Sequence, residues 1–147
     1  MRHLALAEAC LAPYTGKVRY EVEHIWANHP ERHSDDFAHD SDFSRHRNRI
    51  GDLLLLPRQF NASYNDDPYE KKLPQYFRQN LLAASLNSLS YEKNPGFVSF
   101  IKSSGLPFKP YEEFKATAIT ERGNLYRGVA KKVWDPDDLV ATAEGRG

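Results

Sequence analysis

Val18–Trp26 (VRYEVEHIW), Asn48–Pro57 (NRIGDLLLLP) and Gln59–Lys72 (QFNASYNDDPYEKK) are the stretches whose reading decides the fold. In the first, Val18, Tyr20 and Val22 alternate with Arg19, Glu21 and Glu23, the period of a strand, and His24 falls at the strand end. Ile50 to Leu56 reads as a second, apolar strand closed by Pro57, and the two make an antiparallel pair. After Pro57, RQFNASYN forms little more than two helical turns, which sets Asn61 and Asn65 on one face four residues apart. Asp67-Pro68 supplies an N-cap and a first-position proline, with Glu70 in the first turn, so a longer helix starts there. Its apolar stripe is Leu73, Tyr76, Phe77, Leu81 and Ala84, with Pro74 able to kink its start. The expected class is α+β, two strands wrapped by helices.

The order strand, strand, short helix brings one histidine, one carboxylate and two asparagines into a single motif. A histidine can take the proton from an attacking water, while a carboxylate and a carboxamide oxygen can hold a hard divalent cation. That is the layout of a ββα-metal (HNH, His-Me finger) core, and it points to phosphodiester hydrolysis. Each residue alone has a plainer reading. A strand-end histidine is more often packed or solvated than catalytic, and asparagines near short helices most often cap turns. Asp52 alone is a polar interruption in a strand, and Lys71 and Lys72 alone are a solvated helix face.

The rest of the composition sets bounds. The 147 residues, 40% hydrophobic and 12% aromatic, suffice for one core, so one domain is expected over 1–147: motif core 18–72, helical remainder 73–134, tail 135–147. Formal net charge is zero, so a nucleic-acid partner has to be held by a local basic patch or delivered by another domain. The lone Cys10 excludes an internal disulfide and a multi-cysteine zinc knuckle, reads as a small buried hydrophobe, and fits a reduced cytoplasm. No apolar run is long enough for a membrane span and no signal-peptide pattern opens the chain. The opening LALAEACLAPY reads as a short helix stopped by Pro13 and as the end of something longer.

Ala27 to Arg47 is a polar interval, expected as a mobile inserted loop. Its His29, His33, His39 and His46 alternate with Asp35, Asp36, Asp40 and Asp42, but irregular spacing and the absence of cysteines make a zinc site the weaker reading. NPGFVSFIKSSG reads as a short helix with a glycine stop and GLPFKPYEEF as a connector. TAITERGNLYRGVAKKVW reads as a final amphipathic helix with Ile119, Leu125, Tyr126, Val129 and Val133 on its apolar face, ended by Asp135-Pro136.

With these residues quoted, the chain resembles the C-terminal HNH nuclease domain of GmrSD-type modification-dependent restriction enzymes; a related domain occurs in the antiphage protein SspE. The resemblance spans about Val18 to Trp134 and is carried by His24-Ile25, Gly51, Leu53, Asn61, Asn65, Pro68 and Lys71. It implies that His24 is the general base, that Glu23 and Asn61 hold one Mg²⁺ or Mn²⁺, that Asn65 supports the ligands from behind or contacts the ion through water, and that Lys71 touches a phosphate or braces the helix. It also implies a DNA substrate and an N-terminal nucleotide-binding sensor domain elsewhere in a larger defence protein. Two departures stand out. Ala27 and Asn28 stand where a proline is common. Asp52 replaces the central asparagine, which in the family fixes the histidine-bearing loop by both donating and accepting; an ionised aspartate only accepts.

Arg45, Arg47, Arg49 and Arg58 cluster near the motif with Lys71 and Lys72. A salt-bridged surface is the plain reading; Arg47, Arg49, Arg58 and Lys72 are the expected DNA-phosphate contacts. No recognition helix with base-edge donors is evident, so cleavage with little sequence preference is expected. Two alternatives stay open: action on RNA or branched DNA, and a catalytically degenerate fold that binds nucleic acid or a regulatory partner.

Overall fold

The computed structural model describes residues 19–135 and 137. The expected N-terminal helix, Cys10, the first residues of the strand and most of the tail lie outside the described residues.

β1 (Tyr20–His24) pairs antiparallel with β2 (Leu53–Pro57), in a register that sets Val22 opposite Leu55, Glu23 opposite Leu54 and His24 opposite Leu53. Opposed residues share a face, so Glu21 and Glu23 lie with Leu54 and Leu56, whereas Tyr20, Val22 and His24 lie with Leu53, Leu55 and Pro57. The inward face is the charged one. Leu54, Leu56 and Glu23 are buried, while Val22 is 53% and Leu55 47% exposed. β2 also starts later than expected, because Ile50–Asp52 forms a 3-10 turn instead.

Helices α1 (Asp40–Arg47), α2 (Arg58–Tyr64), α3 (Tyr69–Tyr76), α4 (Leu81–Ala84), α5 (Leu89–Lys93), α6 (Pro95–Ser104) and α7 (Ala116–Val133) surround this hairpin, a mixed α+β architecture. The long helix expected from Pro68 onward is broken. α3 ends two residues after Pro74, whose ring and missing N–H weaken its last turn, and Asn80 then starts α4 by accepting the Ala83 N–H at 3.1 Å. α6 ends as expected on Gly105, at φ +63°, where glycine carries no steric penalty.

The polar interval 27–47 is folded, not an open loop. A 3-10 turn, Pro30–His33, precedes α1, and the interval wraps Trp26. The buried indole stacks on His33 at 4.0 Å and on Phe43 at 5.7 Å, lies 6.3 Å from Phe37, and donates to Phe114 O at 2.8 Å. Counting polar letters missed the three aromatic rings that give the insertion its own core.

α7 lies across the turn into β2. A Cβ on Gly51 would stand 1.9 Å from Ile119 O, so only glycine permits this approach. Tyr126 donates to Leu53 O at 2.7 Å, and the buried Arg122 reaches Leu82 O within α4 at 3.1 Å. The turn that carries Asp52 is thereby clamped against the core formed by Ile25, Trp26, Leu54, Leu56, Phe60, Tyr76 and Ile119.

Candidate functional site

Glu23 and His24 are consecutive on β1, so their side chains leave the strand on opposite sides. Glu23 points inward and is 1% exposed; its Oε1 accepts Lys72 Nζ at 2.7 Å and the Tyr76 hydroxyl at 3.0 Å. The Lys72 ammonium is 0% exposed and its other two bonds go to His24 O at 2.9 Å and Asn65 O at 3.1 Å. An ammonium has three N–H groups, and all three are used. Burial, and then the Glu23 charge, push the Tyr76 phenol well above its usual range, so it remains a donor.

Lys72 therefore departs from its expected place on a solvated face as a phosphate contact. Tyr69, Lys72 and Tyr76 follow one another at helical spacings of three and four, which turns all three inward. That spacing was the signal available in the sequence. Lys71, expected from the resemblance to touch a phosphate or brace the helix, is exposed.

Asn61 sits on α2, buried against β1. Its Nδ2 donates to Val22 O at 3.2 Å and reaches Glu21 Oε2 at 3.5 Å, whereas its Oδ1 is buried with no hydrogen-bond partner. An orphaned buried oxygen is costly unless something else meets it. Asn65 caps α2; its side chain is exposed and its backbone carbonyl serves Lys72.

His24 is half-buried at the end of β1. Burial first, then the Arg47 and Lys72 charges, lower its pKa, while a hydrogen bond with the Asn48 side chain works the other way. The net direction favours the neutral imidazole, the form that can accept a proton. Asn48, at the end of α1, was not singled out in the sequence.

Asp52 is fully buried. Its Oδ1 accepts the Trp26 N–H at 3.0 Å, its backbone carbonyl accepts the Ile25 N–H at 2.8 Å, and its Oδ2 has no partner. Burial raises its pKa well above the carboxylate range, against smaller opposing effects of the Trp26 bond, Arg47 and Lys72. The Trp26 N–H needs only an acceptor, which a carboxyl oxygen supplies as a carboxamide oxygen does. The departure at this position therefore preserves the bond that holds the segment after His24.

The expected DNA contacts divide in two. Arg47 is half-buried and donates from Nε to Trp26 O at 2.9 Å. Arg49 and Arg58 are exposed, Arg49 reaching Thr120 Oγ1 at 3.3 Å and Arg58 lying 3.4 Å from Glu21 Oε1. A further polar clasp ties the insertion to the turn after α2: His29 bridges Glu31 at 2.7 Å and Asp66 at 2.9 Å. A cleft of about 410 Å³ opens beside Trp26, His33, Tyr69 and Lys115, and none of the candidate residues lines it.

Among the described residues, no three His, Cys, Asp or Glu side chains gather where a metal ion could sit. A divalent cation here would thus depend on the Asn61 carboxamide and on water. The unpartnered Asn61 Oδ1 fits such a ligand. Glu23 fits less well, since one of its oxygens is already taken by Lys72 and Tyr76.

A family model described as GmrSD restriction endonucleases, C-terminal domain, matches residues 3–129. Searches of curated proteins and of solved structures found no match to the chain.

Proposed function

Because the chain belongs to the family of C-terminal domains of GmrSD restriction endonucleases, we propose that it is a nuclease effector with a ββα-metal (HNH) site, acting on DNA in a modification-dependent defence protein. The observation that carries the reading is the state of Asn61. Its amide nitrogen is spent on the strand that ends in His24, and its buried oxygen is left without a protein partner.

In this reading His24, neutral and half-buried, accepts the proton of the attacking water. Asn61, with what Lys72 and Tyr76 leave of the Glu23 carboxylate, holds Mg²⁺ or Mn²⁺. When bound, such an ion offsets the charge that develops on the phosphate. Asp52 and Arg47 hold the backbone just past the base through Trp26 N–H and Trp26 O. Arg49, Arg58 and Lys71 are solvent-facing cations that touch phosphates, not bases, so cutting has little intrinsic sequence preference. With zero formal charge, affinity comes largely from an N-terminal sensor domain in the same cytoplasmic protein.

The test is nicking of supercoiled plasmid with Mg²⁺ or Mn²⁺, wild type beside His24→Ala. Loss by about 100-fold or more, with the fold retained, is expected of a general base. Equal activity in the variant would remove the reading. The Glu23–Lys72 pair favours a second reading, a non-cleaving module that binds nucleic acid or a regulatory partner, because a neutralised carboxylate attracts a cation poorly. Absence of any metal-dependent nicking by the wild type would select it.

A further inference from the structure

We infer that the outward face of the β1–β2 hairpin seats the sugars of the strand being cut and selects deoxyribose over ribose, which deepens the nuclease proposal and rests on His24 facing the phosphate. Alternation and register put Tyr20, Val22 and His24 of β1 beside Pro57, Leu55 and Leu53 of β2 on that face. His24 and Leu53 form one cross-strand pair, and Val22 and Leu55 form the next on the same face, about 7 Å away at roughly 3.4 Å per residue. That is about two nucleotide steps along a B-form strand.

Val22 is 53% and Leu55 47% exposed, while the opposite face of the same strands buries Glu23, Leu54 and Leu56. The hairpin thus leaves an aliphatic pair in water one step from His24. A further strand has no place to hydrogen-bond here. The Asn61 amide donates to Val22 O at 3.2 Å and the Asn80 amide to Leu55 O at 3.0 Å, so both outward carbonyls of the pair are already engaged. Whatever meets this face meets its side chains.

The charges at the two ends fit a nucleic-acid strand. Exposed Arg19 and Arg58 flank the Tyr20–Pro57 end, where the Arg58 N–H donates to Arg19 O at 2.9 Å, and exposed Arg49 precedes the turn that enters β2 at Leu53. Cations at the ends meet phosphates, and the aliphatic middle meets the carbon faces of the sugars between them. A ribose 2′-hydroxyl pressed against this face would give up its water and find no side-chain partner, since Val22, Leu53, Leu55 and Pro57 are all apolar. Deoxyribose carries no such group.

The experiment is fluorescence anisotropy of the 147-residue chain with matched DNA and RNA duplexes over a salt series, without metal, beside sedimentation velocity and denaturant unfolding. Val22→Thr combined with Leu55→Thr places β-branched residues on an exposed face, which the strands tolerate. Wild type should bind DNA about 10-fold or more tighter than RNA. The double variant should lose roughly 10-fold in DNA affinity with RNA affinity nearly unchanged, and the slope of log K against log salt should stay the same, because no phosphate contact is altered. Equal affinity of wild type for the two duplexes would overturn the inference, as would an unchanged DNA affinity or a changed slope in the variant. A wild-type dimer that the variant dissociates would assign the face to a second copy, and a large drop in the unfolding midpoint would assign it to the chain's own residues; either result overturns it too. His24→Ala keeps the two proposals apart: nicking in that variant decides whether His24 is the base, whereas binding, which needs no cleavage, decides the face.

Discussion

Two neighbouring residues on β1 lead into opposite kinds of environment. On the inner side, Glu23, Lys72 and Tyr76 form a closed network in which the carboxylate and the ammonium are essentially unexposed and every ammonium proton has an oxygen. On the outer side, His24 is half-buried, and burial with the nearby Arg47 and Lys72 charges lowers its pKa. The inner network ties β1, the end of α2 and α3 together, whereas the outer side leaves the imidazole half-buried. The two residues are neighbours in one motif, yet the fold gives one a closed ionic network and the other a half-buried ring.

The sharpest way to break this comparison is to remove the inner cation. Lys72→Met leaves Glu23 buried without its partner, and breaking such a pair costs about 3–5 kcal/mol. Denaturant unfolding should record a loss of that size, and Glu23→Gln on top of Lys72→Met should recover much of it, because two neutral groups carry no unpaired charge. His24→Ala should leave stability nearly unchanged. If His24→Ala destabilised the chain as much as Lys72→Met, the division between the two sides would be wrong.

The next effect concerns the asparagines. Asn61 lends a buried unpartnered oxygen, whereas Asn65 lends only its backbone carbonyl to Lys72 and keeps an exposed side chain. Asn61→Ala is therefore expected to abolish metal-dependent nicking, and Asn65→Ala, which preserves the carbonyl, to reduce it far less. Titration of Mn²⁺ against nicking rate ranks the two. Equal loss in both variants would place the Asn65 side chain in the site as well.

These contrasts also mark what the sequence could and could not convey. Alternation along β1, the apolar run of β2 and the Asn61 helix were readable because they depend on neighbours a few residues apart. The inward face of β1 was not. Hydrophobicity selects the side with Val22, yet Glu23 is inside, because its partner Lys72 lies 49 residues away and alternation carries no information about that pairing. The insertion failed for a related reason: its polar letters hid Phe37 and Phe43, which gain a core only from Trp26. The burial of Asp52 was not legible either, because it comes from Trp26 and from α7 packed over the turn, both far away in sequence.

Asp52 gives the pH-dependent prediction. Its folded pKa is raised by burial above the 3.8 of an ordinary aspartate, so folding binds a proton there. The stability this supports is fully present below about 3.8 and is eroded as pH rises from there toward the folded value. Asp52→Asn keeps the acceptor for Trp26 N–H and removes the titration. Its melting temperature should exceed that of wild type at neutral pH, by a few degrees, and converge with it at about pH 3.5. A difference that did not change with pH would show that Asp52 is ionised in the folded protein.

The smallest expected effect lies on the rim, and it extends the same contrast to the arginines. Arg47 is tied to Trp26 O and Arg58 lies beside Glu21, whereas Arg49 is exposed with only a 3.3 Å contact to Thr120. An exposed guanidinium that meets a phosphate releases about one counterion, so Arg49→Ala should weaken duplex binding uniformly across sequences and lower the slope of log K against log salt by about 1. Arg58→Ala should change the slope less, because its charge is already partly satisfied by Glu21. Arg47→Ala should instead lower kcat, since it frees the Trp26 carbonyl and loosens the chain next to His24. Fluorescence anisotropy with a labelled duplex at several salt concentrations measures the first two, and nicking at saturating DNA measures the third. A slope unchanged by Arg49→Ala would move the phosphate path away from the β2 entry.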